Sequence, residues 1–271
     1  MSKTLLAVLA HPDDEAFGLG GTLAHAAASG HRVYLICATK GEAGKITHPD
    51  IPQDADRAKL REAELRAACD ALNIEPPIFL GYHDSGRHER TRFDDPKALM
   101  NIDELALETA LLPHLERLQP EVMITFDPHG IYGHIDHIKM HRAATAAFWS
   151  AGKVMAEAPK RLFYAAMASE QLRRMQTLRE NSPLAQLEPG IYGVSEDSFA
   201  YVRDVSDYRA QKQAAIEAHK SQTGPQSSFA AQDGQNEDAF WDEMFGLETL
   251  TLGGLRGGFP DAPVDDLFTG L

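Results

Sequence analysis

Thr4–Ala10 reads TLLAVLA, an unbroken apolar run of the length of one strand, and it ends abruptly in His11-Pro12-Asp13-Asp14-Glu15. A segment apolar at every position fits a strand covered on both faces, as in a parallel sheet. Behind the polar turn, Phe17–Ser29 is small and apolar and stops at Gly30, which reads as a helix packed closely on that strand. The alternation then repeats. Arg32–Ala38 reads as a strand, Ala55–Leu72 as an amphipathic helix, Pro77–Leu80 as a strand, and Ile102–Leu118 as a helix interrupted near Pro113. Val122–Phe126 is the next strand, Asp136–Trp149 a helix and Arg161–Met167 another strand. Beyond Ser169 the pattern weakens to a helix over Glu170–Arg179, a strand over Phe199–Val205, a helix over Ser206–Ser221, and a Gln, Ser and Gly-rich stretch. The tail after Gly253 is rich enough in Gly and Pro to be expected to wander.

Strand alternating with helix implies βαβ units, and right-handed crossovers turn these into an α/β, Rossmann-like three-layer sandwich with a mostly parallel central sheet. Residues 1–168 are expected to form the core. Residues 169–271 are expected to cap the same domain and wall its pocket.

The 271 residues carry 26 basic and 40 acidic side chains, a formal charge of −14, which opposes nucleic acid as a partner because that affinity rests on Lys and Arg displacing counterions. A hydrophobic fraction of 43% and a charged fraction of 24% exclude disordered, collagen-like and coiled-coil chains. No apolar run reaches the roughly 18 residues of a membrane span. The apolar start lacks a small-residue cleavage site, so a cytoplasmic protein away from the membrane is expected. The two cysteines, Cys37 and Cys69, form no C-x-x-C pair, so neither a disulfide scaffold nor a thiolate zinc site is expected.

In open α/β sheets ligands sit outside the carboxyl ends of the strands, so the polar turns there carry the chemistry. One is His11–Glu15. The other follows the strand at Val122–Phe126 and reads Asp127-Pro128-His129-Gly130-Ile131-Tyr132-Gly133-His134-Ile135-Asp136-His137. One imidazole and one carboxylate from the first turn with one imidazole from the second make a two-His, one-carboxylate set, the composition of a catalytic zinc site with an open position. Taken singly, a histidine is more often a packed or surface residue, and Asp13 and Asp14 could simply cap the next helix. Their concentration at two strand ends favours the metal. His137 and His141 stand four apart as in H-E-x-x-H zinc helices, but the middle Glu is absent, which argues against a metalloprotease and leaves His141 structural. Gly18, Gly20 and Gly21 fail the dinucleotide fingerprint because Leu23 replaces the third glycine; close helix packing accounts for them.

These residues resemble the LmbE-like, or PIG-L-type, zinc-dependent N-deacetylases, which include the deacetylases of mycothiol and bacillithiol biosynthesis. The resemblance rests on Ala10–Glu15, on Thr39-Lys40-Gly41-Glu42-Ala43-Gly44, on Arg61–Glu64, on Gly81-Tyr82-His83-Asp84-Ser85-Gly86 and on Tyr132–His137, with a late segment ending His219-Lys220-Ser221-Gln222. It covers about residues 4 to 222 and is specific where the first and fifth motifs occur together. Ile135 departs from the proline many members carry. The resemblance implies His11, Asp14 and His137 as ligands of Zn2+, with Fe2+ as an alternative metal. It implies Asp13 as general base, His134 as a charged electrophile oriented by Asp136, and Tyr132 as an aid at the substrate carbonyl. Glu42 and Asp84 are expected to bind substrate, whereas Glu15 reads either as a support to the ligand turn or as a helix N-terminal charge, and His219 either as entering the pocket from the late helix or as a packed helix-terminal histidine.

The expected activity is removal of an N-acetyl group from an N-acetylglucosamine-type amino-sugar conjugate, in a homo-oligomer. Alternatives are an amidase acting on a thiol S-conjugate with a bulkier acyl group, or a metal- or sugar-binding module without turnover. Asp13 argues against the last, since a pure metal site has no use for a second, uncoordinated acid.

Overall fold

A computed structural model describes residues 2–178, 184–224, 227 and 237–271. Its sheet has seven strands: β1 (Thr4–Leu9), β2 (Arg32–Cys37), β3 (Ile78–Phe79), β4 (Val122–Phe126), β5 (Arg161–Ala165), β6 (Phe199–Asp204) and β7 (Leu247–Leu255), in the order β3-β2-β1-β4-β5-β7-β6. β3 to β5 along that order pair in parallel, and β7 runs antiparallel to both β5 and β6. The sheet is thus mostly parallel, and helices flank it: α1 (Asp14–Ala28), α2 (Arg57–Leu72), α3 (Glu104–Leu118), α4 (Ile135–Val154), α5 (Ser169–Leu178), α6 (Arg209–Ala218) and α7 (Glu237–Phe245). Leu5, Leu6, Ala7 and Val8 of β1 are fully buried, as a continuous apolar run at the centre of a covered sheet requires.

β1 is paired with β2 on one side and β4 on the other, so the connections leaving β1 and β4 diverge between them. This is the topological switch point, where α/β sheets open a crevice at the carboxyl ends of their strands. The two polar turns identified in the sequence both leave strands at that crevice.

Several expectations need correction. α3 is continuous through Pro113. The ring is exposed, as is Thr109 whose carbonyl loses its partner, while Leu107, Leu111, Leu115 and Leu118 bury the opposite face and hold the helix across the gap. The tail after Gly253 does not wander. Gly253 and Gly254 lie inside β7, where a Cβ would stand 2.3 Å from the Tyr164 ring and 2.5 Å from that of Phe148, so these glycines mark a strand passing close under aromatic rings. Val264 then exchanges backbone hydrogen bonds with Ala200 and Val202, and Arg161 donates to the carbonyls of Leu267 (2.8 Å) and Thr269 (2.7 Å). The end of the helix expected at Arg179 and most of the Gln, Ser and Gly-rich stretch, from 225 onward, lie outside the described residues.

The glycines of α1 serve packing. A Cβ at Gly21 would fall 2.3 Å from Val205, and one at Gly20 would press on Lys212 at 3.0 Å. Cys37 and Cys69 are buried free thiols. Among the described residues, no helix is long and apolar enough to cross a membrane.

Candidate active site

Asp13 precedes α1 with φ 110° and ψ −25°, a left-handed conformation that strains any residue but glycine. Its side chain caps nothing, which removes the capping explanation. Instead Oδ2 accepts from Arg61 Nη2 at 2.9 Å, and the backbone N–H donates to Glu15 Oε2 at 3.0 Å. Arg61, on α2, is 4% exposed; it also donates to the carbonyls of Pro12 and, at 2.8 Å, Gly41. Gly41 has φ +63° and a Cβ there would lie 2.1 Å from Arg61 Nη1, so only glycine closes that loop around the guanidinium. Behind Asp13, Glu15 Oε1 meets His219 Nε2 at 2.6 Å, both side chains fully buried. His219 therefore packs under the turn and does not enter the pocket.

Asp14 opens α1 with its Oδ2 accepting the N–H groups of His11 (2.7 Å) and Ala10 (3.2 Å). That leaves Oδ1 at 3.2 Å from His137 Nε2, while His137 Nε2 is 3.2 Å from His11 Nδ1 and His11 Nδ1 is 3.7 Å from Asp14 Oδ2. Donor atoms around a tetrahedral ion with bonds of about 2.1 Å stand roughly 3.4 Å apart; His11 Nδ1 and His137 Nε2 have that spacing, Asp14 offers a different oxygen to each of them, and His134 also brings a ring nitrogen within 4.8 Å of both imidazoles, so these side chains could hold one divalent cation. His11 Nε2 points away, to Asp136 Oδ2 at 3.1 Å and Asp84 Oδ1 at 3.6 Å. Carboxylates behind an imidazole fix its proton on that side and free the other nitrogen for an ion.

His137 is delivered by a strained turn. Gly130 (φ +61°) leaves no room for a side chain, since a Cβ would stand 2.7 Å from that of His137. Ile131 also takes a left-handed φ of 63°, held by its N–H on Asp127 Oδ1 at 2.6 Å. Tyr132 follows, its ring 5.1 Å from that of His137. His134 caps α4: its Nδ1 accepts the Asp136 N–H at 3.2 Å, which leaves the proton of a neutral ring on Nε2. His141, a turn deeper, bonds the Phe126 carbonyl at 2.9 Å.

Burial raises Asp13 to about 6 despite the opposing Arg61 guanidinium. Burial alone would raise Asp14 too, but the imidazoles of His137 and His11 hold it well below the usual carboxylate range. His11 is raised because Asp84, Asp136 and Asp14 outweigh its desolvation. His134 moves the other way, to about 3, through desolvation and repulsion by His11 and His137.

Three sequence expectations change. Burial and the neighbouring imidazoles of His11 and His137 push His134 toward the neutral ring, where an imidazolium was expected. The Asp136 carboxylate lies on His11 and on the Ser85 N–H (2.9 Å); the residue meets His134 through its backbone N–H, and its charge favours the protonated ring but is outweighed by desolvation and by His11 and His137. Asp84 and Glu42, expected to bind substrate, make hydrogen bonds within the protein, while Glu42 Oε2 is buried without a partner. Asp84 accepts from Ala43 N (3.1 Å) and Gly86 N (2.8 Å) and faces His11, while Glu42 accepts from the Asp84 N–H at 3.2 Å. The sequence reading missed Arg87, whose guanidinium lies 5.1 Å over the Tyr132 ring, and Gln171, on α5 at the pocket wall. Neither belongs to a motif, so no local signal marked them.

The family model for PIG-L, described as GlcNAc-PI de-N-acetylase, matches residues 6–148. The chain belongs to the PIG-L family. A 1D-myo-inositol 2-acetamido-2-deoxy-alpha-D-glucopyranoside deacetylase of Salinispora arenicola is 35% identical, with 99% of this chain and 92% of that protein covered. Its counterpart in Thermomonospora curvata is 32% identical over 99% and 97%. The N,N'-diacetylchitobiose deacetylase of Pyrococcus horikoshii shares the PIG-L fold with a TM-score of 0.56 at 19% identity, covering 93% of this chain and 84% of that one.

Proposed function

We propose that this PIG-L protein is a zinc-dependent hydrolase that removes the N-acetyl group from an N-acetylglucosamine conjugate, with a glucosaminyl inositol as the conjugate its similar relatives favour. The observation that carries the reading is the donor triangle of His11, Asp14 and His137 with a half-buried Asp13 beside it, its carboxylate on Arg61. The donor set, two imidazoles and one carboxylate with an open position, suits zinc. When bound, the ion supplies a Lewis acid at the amide carbonyl and acidifies water.

The protein's own groups supply the rest. Asp13, raised to about 6 and held in place by Arg61, takes the proton of the attacking water and returns it to the departing amine. His134 donates its Nε2 proton to the oxyanion that forms on the carbonyl oxygen. Burial raises the Tyr132 phenol well above its usual range, so it keeps its proton and donates to the same oxygen. Asp136 and Asp84 hold His11 in the tautomer that turns Nδ1 toward the ion. The reading carries with it a cytoplasmic homo-oligomer, which fractionation and sedimentation check.

The test is amine release from N-acetylglucosaminyl inositol by the chelator-stripped protein before and after one equivalent of zinc. Turnover restored by zinc supports the proposal. Equal turnover in the stripped protein, or none in either state, overturns it.

A further inference from the structure

Asp13 does not hold its own backbone. At φ 110° and ψ −25° a residue with a Cβ is strained, and such a conformation persists only where its surroundings over-determine it. Its hydrogen bonds do that. Arg61 donates to the Asp13 carboxylate at 2.9 Å and to the Pro12 carbonyl, the Asp13 carbonyl receives the N–H of Ala16 at 3.0 Å, and the Asp13 N–H donates to Glu15 Oε2 at 3.0 Å.

The last of these bonds has the longest reach. Glu15 is fully buried, and its other oxygen lies 2.6 Å from Nε2 of His219, 204 positions later in the chain. A carboxylate only accepts, so it fixes the imidazole proton on that nitrogen. With one oxygen on each donor, Glu15 cannot turn away from Asp13 without leaving His219 unpaired, and a buried polar group without a partner is costly.

His219 is anchored in turn. It ends α6, its carbonyl receives the N–H groups of Gln222 (2.8 Å) and Thr223 (3.1 Å), and the turn so formed presents Ser221, whose N–H and hydroxyl both donate to Glu64 at 2.7 Å. Glu64 stands one turn beyond Arg61 on α2, so the two share a face of that helix, and both are buried. The contacts close a ring. Arg61 grips the Asp13 carboxylate, Glu64 the turn after α6, His219 the Glu15 carboxylate, and Glu15 the Asp13 N–H. A cavity of about 220 Å³ opens on Asp13, Asp14, Tyr132 and His137, and among the described residues Asp13 is the one member of the ring that lines it.

We propose that Glu15 and His219 are positioning residues for the base: through this ring they hold the strained backbone of Asp13, and with it the direction of its carboxylate, without touching the ion or the substrate. The proposal rests on the reading of Asp13 as the base. It gives the late segment ending in Gln222 a part in the reaction, as the support of a residue near the other end of the chain.

His219→Leu removes the Nε2 donor, and His219→Gln restores one, because a carboxamide nitrogen also donates. The full chain is loaded with one equivalent of zinc, its bound metal is counted, and amine release from N-acetylglucosaminyl inositol is followed per folded, zinc-loaded molecule. A loss of stability alone then leaves kcat where it was. Misplacing a reacting group by about 1 Å costs up to roughly 10²-fold. The expected result for His219→Leu is a kcat lowered by about tenfold or more, with KM within about twofold and zinc content unchanged, and His219→Gln should recover most of the loss. A double-mutant cycle with Asp13→Asn isolates the route of the effect. Once the base is gone there is nothing left to position, so in that background His219→Leu should change kcat by less than about twofold.

A kcat for His219→Leu within about twofold of wild type, an equal loss in both backgrounds, or zinc lost in step with kcat each overturns the proposal and leaves the hydrolase reading in place. If His219→Leu does not fold, Glu15→Gln enters the same cycle with the same expectation, since its single carboxamide oxygen cannot serve both donors. Wild-type kcat in Asp13→Asn removes the base, and no amine release by the wild-type chain removes the hydrolase reading; either outcome takes this role with it.

Discussion

Helix α1 touches two buried charge clusters, and they are built on opposite terms. Halfway along it, Lys212 and Glu248 pair at 2.6 Å, each 1% exposed at the side chain, and every oxygen and the ammonium are engaged: Lys212 also donates to the Phe245 carbonyl at 2.8 Å, while Glu248 receives the N–H groups of Gly21 (2.9 Å) and Thr22 (2.7 Å). At its N-terminus, Asp13 holds a strained backbone, Asp136 Oδ1 and His137 Nδ1 are buried without partners, and the His11 and His137 imidazoles crowd against the Asp14 carboxylate. The first cluster is complete in itself, whereas the second awaits a cation and a substrate. Burial of charge is therefore a poor marker of function; unfilled bonding capacity beside strain is a better one.

Asp14→Ala gives the sharpest break between the two. It removes one side of the donor triangle and should abolish both zinc binding and turnover; a variant that retains stoichiometric zinc by metal analysis would show that the triangle is not the metal site. Asp13→Asn comes next. Asparagine tolerates the left-handed backbone and keeps the shape, so zinc content should be unchanged while kcat falls about 10²-fold or more. Wild-type kcat in that variant would leave Asp13 with no role as base.

Most of this contrast was already visible in the chain. TLLAVLA and VMITF are legible because strands buried on both faces are apolar at every position, and the turns they deliver, His11–Glu15 and Asp127–His137, are polar enough to stand out. What each carboxylate faces was not legible. Asp84, on a loop, and Asp136, in the first turn of α4, meet on one imidazole, a result of tertiary placement that no spacing encodes. β7 was missed because Gly253 and Gly254 imitate a loop while making room for Tyr164 and Phe148. The cavity of about 220 Å³ beside Asp13 and His137 was invisible for a similar reason: its walls come from α1, α5, α7, β7 and intervening loops, which only tertiary placement brings together.

Tyr132→Phe and His134→Ala should have the next largest effects. Both groups are placed at the carbonyl, where charge develops only as the bond is attacked, so kcat should fall by about 10- to 10²-fold with KM little changed. A rise in KM alone would move both to substrate binding. The pH profile sharpens the same point. Asp13 must be ionised to accept a proton, so activity is lost as pH falls through its pKa. Burial places that value at about 6, and a bound cation nearby can only lower it. The acid limb of kcat/KM should therefore lie at or below about pH 6, and Asp13→Asn should abolish the limb along with most of the rate.

Lys212→Met has the smallest expected effect on turnover and the largest on stability. The substitution keeps the length of the side chain but leaves the Glu248 carboxyl buried without its counter-charge, and breaking a buried pair typically costs about 3–5 kcal/mol. The melting temperature should drop by many degrees, while kcat per zinc-loaded, folded molecule should stay within about threefold, because Lys212 bonds Phe245 and Glu248 on the cavity wall and none of His11, Asp13, Asp14 or His137. Circular dichroism melts and active-site-normalised rates read the two quantities separately. If instead kcat collapsed with stability unchanged, the cluster in the middle of α1 would be controlling the position of Asp13 and Asp14 at its end, and the two clusters would be one functional unit connected by the helix.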